Sequence, residues 1–172
     1  MILVVNLCED ELSFNEFVMP VVKEVGDCDV KHYKEVEDVS KYDKIILCGT
    51  PLKDHGALEG EIFSWIKSYK GHLLGICAGM QVLALEFGSS LIDNSEIGME
   101  KIKVIRKNEL KNKDFEAYSL HTFAIEPSKE FYKLFKSENC VQGIKHKEKE
   151  FYGVLFHPEV RNSEIIEEFI KI

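Results

Sequence analysis

The segment His72-Leu73-Leu74-Gly75-Ile76-Cys77-Ala78-Gly79-Met80-Gln81-Val82-Leu83-Ala84-Leu85-Glu86-Phe87-Gly88 constrains the fold more than any other stretch. An apolar run ends at Cys77, small residues flank that cysteine, and a helical pattern begins directly after it. Gly75-x-Cys77-x-Gly79 is the cysteine form of a nucleophile elbow, a sharp turn from strand into helix. Backbone crowds backbone in such a turn, so a Cβ at either glycine would clash. The turn is expected to lift the sulfur into solvent reach beside a helix N-terminus, whose N–H groups and dipole favour thiolate over thiol. A strand that merely happens to end in cysteine would need none of this punctuation.

A thiolate nucleophile works with a base beside it and a carboxylate that orients the base. Further along, Phe151-Tyr152-Gly153-Val154-Leu155-Phe156 reads as a buried strand and runs into His157-Pro158-Glu159. Pro158 biases His157 toward an extended backbone. In an extended chain residues i and i+2 point to the same side. His157 and Glu159 can therefore both enter one site, with Glu159 fixing the tautomer of the ring.

Gly-Ile-Cys-x-Gly-Met-Gln at 75–81 followed by Phe-His-Pro-Glu-Val at 156–160 resembles the signature pair of the class I (triad) glutamine amidotransferases, and the resemblance covers nearly the whole chain. It implies Cys77 as nucleophile, His157 as base and Glu159 as its partner. It further implies the Ala78 N–H as one oxyanion donor and Gln81 as a residue that helps to hold glutamine. The family draws its other donor from a Gly-Gly-Pro turn, and the turn here reads Cys48-Gly49-Thr50-Pro51. By resemblance Gly49 belongs to the substrate site and the Thr50 N–H to the oxyanion hole. A β-branched residue resists positive φ, so this turn either keeps an ordinary φ or is strained. In Tyr118-Ser119-Leu120-His121-Thr122-Phe123 the resemblance implies that Leu120, Thr122 and Phe123 line the end of the pocket that holds the α-amino and carboxylate groups. His121 at its centre is as readily structural as functional. The remaining histidines lack ligand spacing, so neither a metal nor a cofactor is expected.

Along the chain, residues 2–7 form a continuous apolar run, the mark of a strand buried on both faces of a parallel sheet. Residues 11–25 are amphipathic but interrupted by Pro20, which predicts a kink or two short helices. Residues 29–33 and 44–48 read as strands, and 57–69 as a helix with Leu58, Ile62, Trp65 and Ile66 on one stripe. After the elbow, short strands are expected at 101–107, 115–120, 123–126, 141–147 and 151–156, and a helix at 164–170. The pattern predicts one α/β domain over residues 1–172, flavodoxin-like, with a mostly parallel central sheet, helices on both faces and some antiparallel strands in the C-terminal half. Sites in such sheets sit at the carboxyl ends of strands, where Cys48-Gly49, Cys77 and His157 all fall.

A net charge of −8 leaves no basic excess for a phosphate backbone, so nucleic acid is not an expected partner. Five cysteines, odd in number and without a Cys-x-x-Cys pair, suit a reducing compartment, and Cys8, Cys28, Cys48 and Cys140 read as packing residues. With no leader-like start and no membrane-length apolar run, a cytoplasmic location is expected. The resemblance implies a glutaminase that releases ammonia. Neither a second catalytic domain nor a Gly-x-x-x-x-Gly-Lys-Ser/Thr loop is found in the 172 residues. A separate ATP-using synthetase subunit is therefore the expected partner, and in length and closing motif the chain resembles the stand-alone amidotransferase subunits of GMP synthetases. Two alternatives stay open: a stand-alone γ-glutamyl peptidase or hydrolase with the same triad, and a non-catalytic, amidotransferase-like regulatory subunit.

Overall fold

The computed structural model describes all of residues 1–172. The elements run β1 (Ile2–Asn6), α1 (Glu11–Phe17), α2 (Met19–Val25), β2 (Asp29–His32), β3 (Lys44–Leu47), α3 (Trp65–Ser68), β4 (His72–Ile76) and α4 (Ala78–Glu86). They continue through β5 (Ser90–Val104), β6 (Phe115–Glu126), β7 (Phe131–Lys136), β8 (Val141–His146), β9 (Phe151–Val154) and α5 (Glu164–Lys171). The strands form one sheet in the order β2-β1-β3-β4-β9-β8-β7-β5-β6. The half from β2 to β9 is parallel. From β9 onward every pair is antiparallel.

Apolar residues alternate faces along the parallel strands, as a period of two dictates, and so build two cores. Leu3, Val5, Ile45, Leu47 and Leu73 face Ile66 of α3 and Met80, Leu83 and Ala84 of α4. Val4, Ile46, Leu74, Tyr152 and Val154 face Phe17 and Val21 on one side and Ile165 and Phe169 of α5 on the other. Helix α4 is buried from Ala78 through Ala84, which explains why its sequence carries no polar stripe. Strands β3, β4 and β9 are parallel neighbours. Their carboxyl ends therefore lie side by side, and the segments leaving them carry Gly49, Cys77 and His157.

Pro20 falls in the first turn of α2, where its missing N–H costs nothing, and the expected amphipathic stretch is accordingly two helices. The helix expected at 57–69 does not form. A single 3-10 turn at Gly56–Leu58 is followed by irregular chain, and only Trp65–Ser68 is helical. Gly60 sits at φ +90°, outside helical space, and Phe63 rather than Ile62 takes the core position, stacked 5.7 Å from Tyr33. The antiparallel half is larger than expected. β5 is one long strand, β6 joins the two segments expected at 115–120 and 123–126, and β7 was not foreseen. No helix is long and apolar enough to cross a membrane.

The approach of α4 to the sheet leaves no room for side chains at the two elbow glycines. A Cβ on Gly75 would lie 2.4 Å from the Gly79 carbonyl oxygen, and one on Gly79 would lie 2.2 Å from the Leu47 carbonyl oxygen. Intrinsic helix propensity favours alanine over glycine at position 79 by about 1 kcal/mol. The backbone clash, about 1–3 kcal/mol, opposes it and should win: Gly79→Ala is expected to destabilise the fold by a net of up to about 2 kcal/mol, read from the urea midpoint at constant slope.

Candidate active site

Cys77 joins β4 to α4 with φ 48° and ψ −104°, a conformation that non-glycine residues avoid. Such a residue costs on the order of 1–3 kcal/mol and persists only where its surroundings hold it. Here its N–H donates to the Val154 carbonyl at 2.8 Å, and its own carbonyl accepts from the Gln81 N–H at 3.0 Å. The first amides of α4, that of Ala78 included, have no carbonyl one turn back to bond.

His157 packs beside Cys77 because Gly49 has no side chain. A Cβ on Gly49 would stand 2.7 Å from Cε1 of His157 and 3.4 Å from the Cβ of Cys77. The Cys8 thiol donates to the Gly49 carbonyl at 3.5 Å and helps to hold that turn. The His157 ring is fully buried, with Phe17 5.5 Å away, and the backbone N–H of His157 donates to the Tyr118 carbonyl at 2.8 Å. Its Nδ1 meets Glu159 Oε1 at 2.7 Å, while Nε2 is buried without a hydrogen-bond partner. The two residues do converge on one site, but not along an extended chain. The backbone turns at Pro158, closed by the Val160 N–H on the His157 carbonyl at 3.2 Å.

Burial pulls the His157 pKa down, yet the charges of Cys77 and Glu159, and the bond to Glu159, hold it well above the ordinary value for histidine. The other four thiols differ in kind. Burial pushes Cys8 up to about 12 and Cys140 to about 11, and raises Cys28 and Cys48 as well. They remain protonated packing groups at neutral pH.

The sulfur of Cys77 is not in solvent reach, contrary to expectation: the residue is 4% exposed, and its thiol donates to the Leu120 carbonyl at 3.6 Å. Thr50, Ala78, Gln81, Leu120, Thr122 and Phe123 line one cavity with Cys77, together with His55 and His121. Gly49 lies behind it, against His157. The cavity holds about 20 Å³, room for a water molecule and far too little for glutamine. Its walls are paired with one another. The Gln81 side-chain amide donates to the Phe123 carbonyl at 2.9 Å, the Thr50 hydroxyl to the Asp54 carbonyl at 2.9 Å, and the His55 and Phe123 rings meet edge to face at 5.3 Å. Thr50 keeps a negative φ, so its turn is unstrained, and its N–H donates to no protein acceptor. Phe17, Tyr118 and Cys8 were not foreseen as parts of the site. Each reads as an ordinary core residue until the tertiary fold sets it against His157 or Gly49.

The same arrangement of chain recurs in known proteins. The glutamine-hydrolyzing GMP synthase of Borrelia garinii subsp. bavariensis is 29% identical over 175 residues, a match that takes in 92% of this chain and 32% of the relative. The chain thus spans about a third of the length of the bacterial GMP synthases it matches. A glutamine-hydrolyzing GMP synthase of Methanococcus aeolicus, named as one subunit of that enzyme, is 33% identical over 151 residues, covering 80% of this chain and 78% of the relative. A crystal structure from Thermoplasma acidophilum, described as the corresponding GMP synthase subunit, superposes with a TM-score of 0.85 at 25% identity, over 99% of this chain and 92% of that one. The model of the family Glutamine amidotransferase class-I matches residues 7–171. That span takes in everything from the loop after β1 to α5, with Cys77, His157 and Glu159 inside it, and the chain belongs to the class-I glutamine amidotransferase family.

Proposed function

We propose that the chain, acting as one domain over residues 1–172, hydrolyses the side-chain amide of glutamine and supplies ammonia to a separate ATP-using synthetase, with GMP synthetase the best-supported assignment. The observation that carries the reading is the strained Cys77 set against a buried His157 whose Nδ1 is held by Glu159 at 2.7 Å. Relatives that are themselves named as a single glutamine-hydrolyzing subunit of GMP synthase support a synthetase on a separate chain.

In this mechanism the proton shared by Cys77 and His157 resides on the ring, whose pKa the neighbouring charges hold well above the ordinary value, and the sulfur attacks the amide carbon. The N–H groups of Ala78 and Thr50 face the oxygen as it becomes negative, and preorganised donors of this kind supply the largest part of the rate. The imidazolium returns the proton to the departing nitrogen, and ammonia leaves. Water then adds to the γ-glutamyl thioester with His157 again as base, giving glutamate and the free thiol. Glu159 holds the ring in the tautomer that leaves Nε2 available. The 20 Å³ cavity makes the state described here a resting one. Gln81 and the Leu120 carbonyl have to exchange their internal partners for substrate, and a docked synthetase is the natural agent of that opening.

Cys77→Ala and His157→Asn are expected to lose glutaminase activity by about 10⁶-fold, and Glu159→Gln by less, on the order of 10⁴-fold. A γ-glutamyl diazo-ketone should label Cys77 alone; equal labelling of Cys77→Ala would move the nucleophile elsewhere. Ammonia release by the isolated chain should be slow and should rise when the synthetase is added. Full activity in the isolated chain would favour the stand-alone hydrolase instead.

A pH dependence follows from the raised His157 pKa. The unfolded value is about 6.5, so the protonated ring contributes its full stability below that pH and loses it as pH rises through the folded value. Glu159→Gln removes a charge that holds the proton, so the loss should set in at lower pH. Urea unfolding followed as pH rises from about 6.5 should show the difference as a change of slope, at most about 1.4 kcal/mol per pH unit for one proton.

A further inference from the structure

Apart from the proposed triad, the molecule buries one more acid and base against each other. Asp93-Asn94-Ser95-Glu96 is a polar run that reads as exposed. The register of β5 on β6 shifts between Asp93 and Glu96, and this irregularity turns Glu96 inward. Glu96 is 3% exposed and His121, its neighbour on β6, 2%. The carboxylate accepts from His121 Nε2 at 3.2 Å, the Ser137 hydroxyl at 2.6 Å, the Asn139 side-chain amide at 3.3 Å and the Gln142 side-chain amide. The Cys140 thiol is a further donor at 3.6 Å. His121 Nδ1 faces the Asn94 carbonyl at 3.0 Å. Both ring nitrogens thus meet oxygens, and the ring is held from both sides. Burial raises the Glu96 pKa, but the bonds from His121, Ser137 and Asn139 outweigh it, and the net shift is downward. The ligand-type atoms of Glu96, His121 and Cys140 lie within 4.8 Å of one another. They are engaged among themselves, the pattern of a closed hydrogen-bonded pair.

The pair's position gives it meaning. His121 lies between Leu120, whose carbonyl takes the Cys77 thiol, and Phe123, whose carbonyl takes the Gln81 amide. Glu96 ties that stretch of β6 to the turn between β7 and β8, through Ser137 and Asn139, and to β8 through Gln142. We infer that Glu96 and His121 are positioning residues for glutamine: a buried hydrogen-bonded pair that sets the backbone of residues 120–123 at the distance from Cys77 and Gln81 where it meets substrate. The inference rests on the glutaminase reading of the cavity. The pair acts through the backbone of β6, not on the reacting atoms.

Its test uses the full chain with glutamine as substrate, comparing Glu96→Gln with the milder Ser137→Ala. Glu96→Gln keeps the shape and removes the charge. It should raise KM about tenfold while kcat stays within about twofold, the signature of lost binding geometry rather than lost chemistry. Ser137→Ala should move KM the same way by less. Amide hydrogen exchange at residues 120–123 should accelerate in both variants while β1, β3 and β4 keep their protection. Unchanged KM together with unchanged exchange at 120–123 would overturn the inference. So would acceleration spread evenly over the whole sheet, which marks a merely structural pair. Should Glu96→Gln fail to fold, Ser137→Ala decides by the same readouts. If the wild-type chain hydrolyses no glutamine even with its synthetase, the glutaminase reading fails, and exchange confined to 120–123 still decides whether the pair holds that wall.

Discussion

Everything at the site depends on how closely α4 approaches the ends of β3 and β4. Glycine is required on both sides of Cys77, because a Cβ at Gly75 or Gly79 would fall inside backbone atoms of the facing element. With the helix drawn that near, the chain has only one residue in which to reverse direction. That residue is Cys77, held at positive φ by its neighbours' hydrogen bonds. The strain and the placement of the sulfur are one feature. A relaxed turn would need a longer loop, and a longer loop would no longer set the sulfur against His157.

A third close approach completes the arrangement. Gly49 lies between β3 and the His157 ring, where any side chain would push the imidazole off Cys77. Three parallel neighbours, β3, β4 and β9, therefore lead into the three residues that meet here, and the size of Gly49 is dictated by the other two. Burial acts on the four remaining thiols. It pushes Cys8, Cys28, Cys48 and Cys140 toward the neutral form. At His157 it is overcome by the charges of Cys77 and Glu159.

The antiparallel half has a different task. β6 brings its backbone to Cys77 and Gln81, and the irregular pairing of β5 places Glu96 behind it. In the state described here that wall is shut: polar groups that a substrate would engage are satisfied by each other, which avoids the cost of leaving them buried and unpaired. The cavity is small and its walls are paired, and those pairings are what any ligand there has to displace.

The sequence by itself determined the elbow, its two obligatory glycines, the strand-helix alternation of the first half and the membership of Cys77, His157 and Glu159 in one set. These are readable because they rest on local rules: periodicity, turn chemistry and residue types with few alternative uses. Even there His157 and Glu159 meet through a turn at Pro158, not along the extended chain that Pro158 suggests locally, because tertiary packing bends that segment. Only the tertiary structure decided the burial of the sulfur, the role of Gly49 as the space for a ring, the loss of the helix at 57–69 and the buried Glu96–His121 pair. Each depends on what another part of the chain brings alongside: a carbonyl from β6 over the thiol, a ring against a glycine, a phenylalanine taking a core place from its neighbour, a strand irregularity turning a carboxylate inward. Pairings between residues far apart in the chain leave no local pattern to read, because the free energy that selects them exists only once both partners are in place.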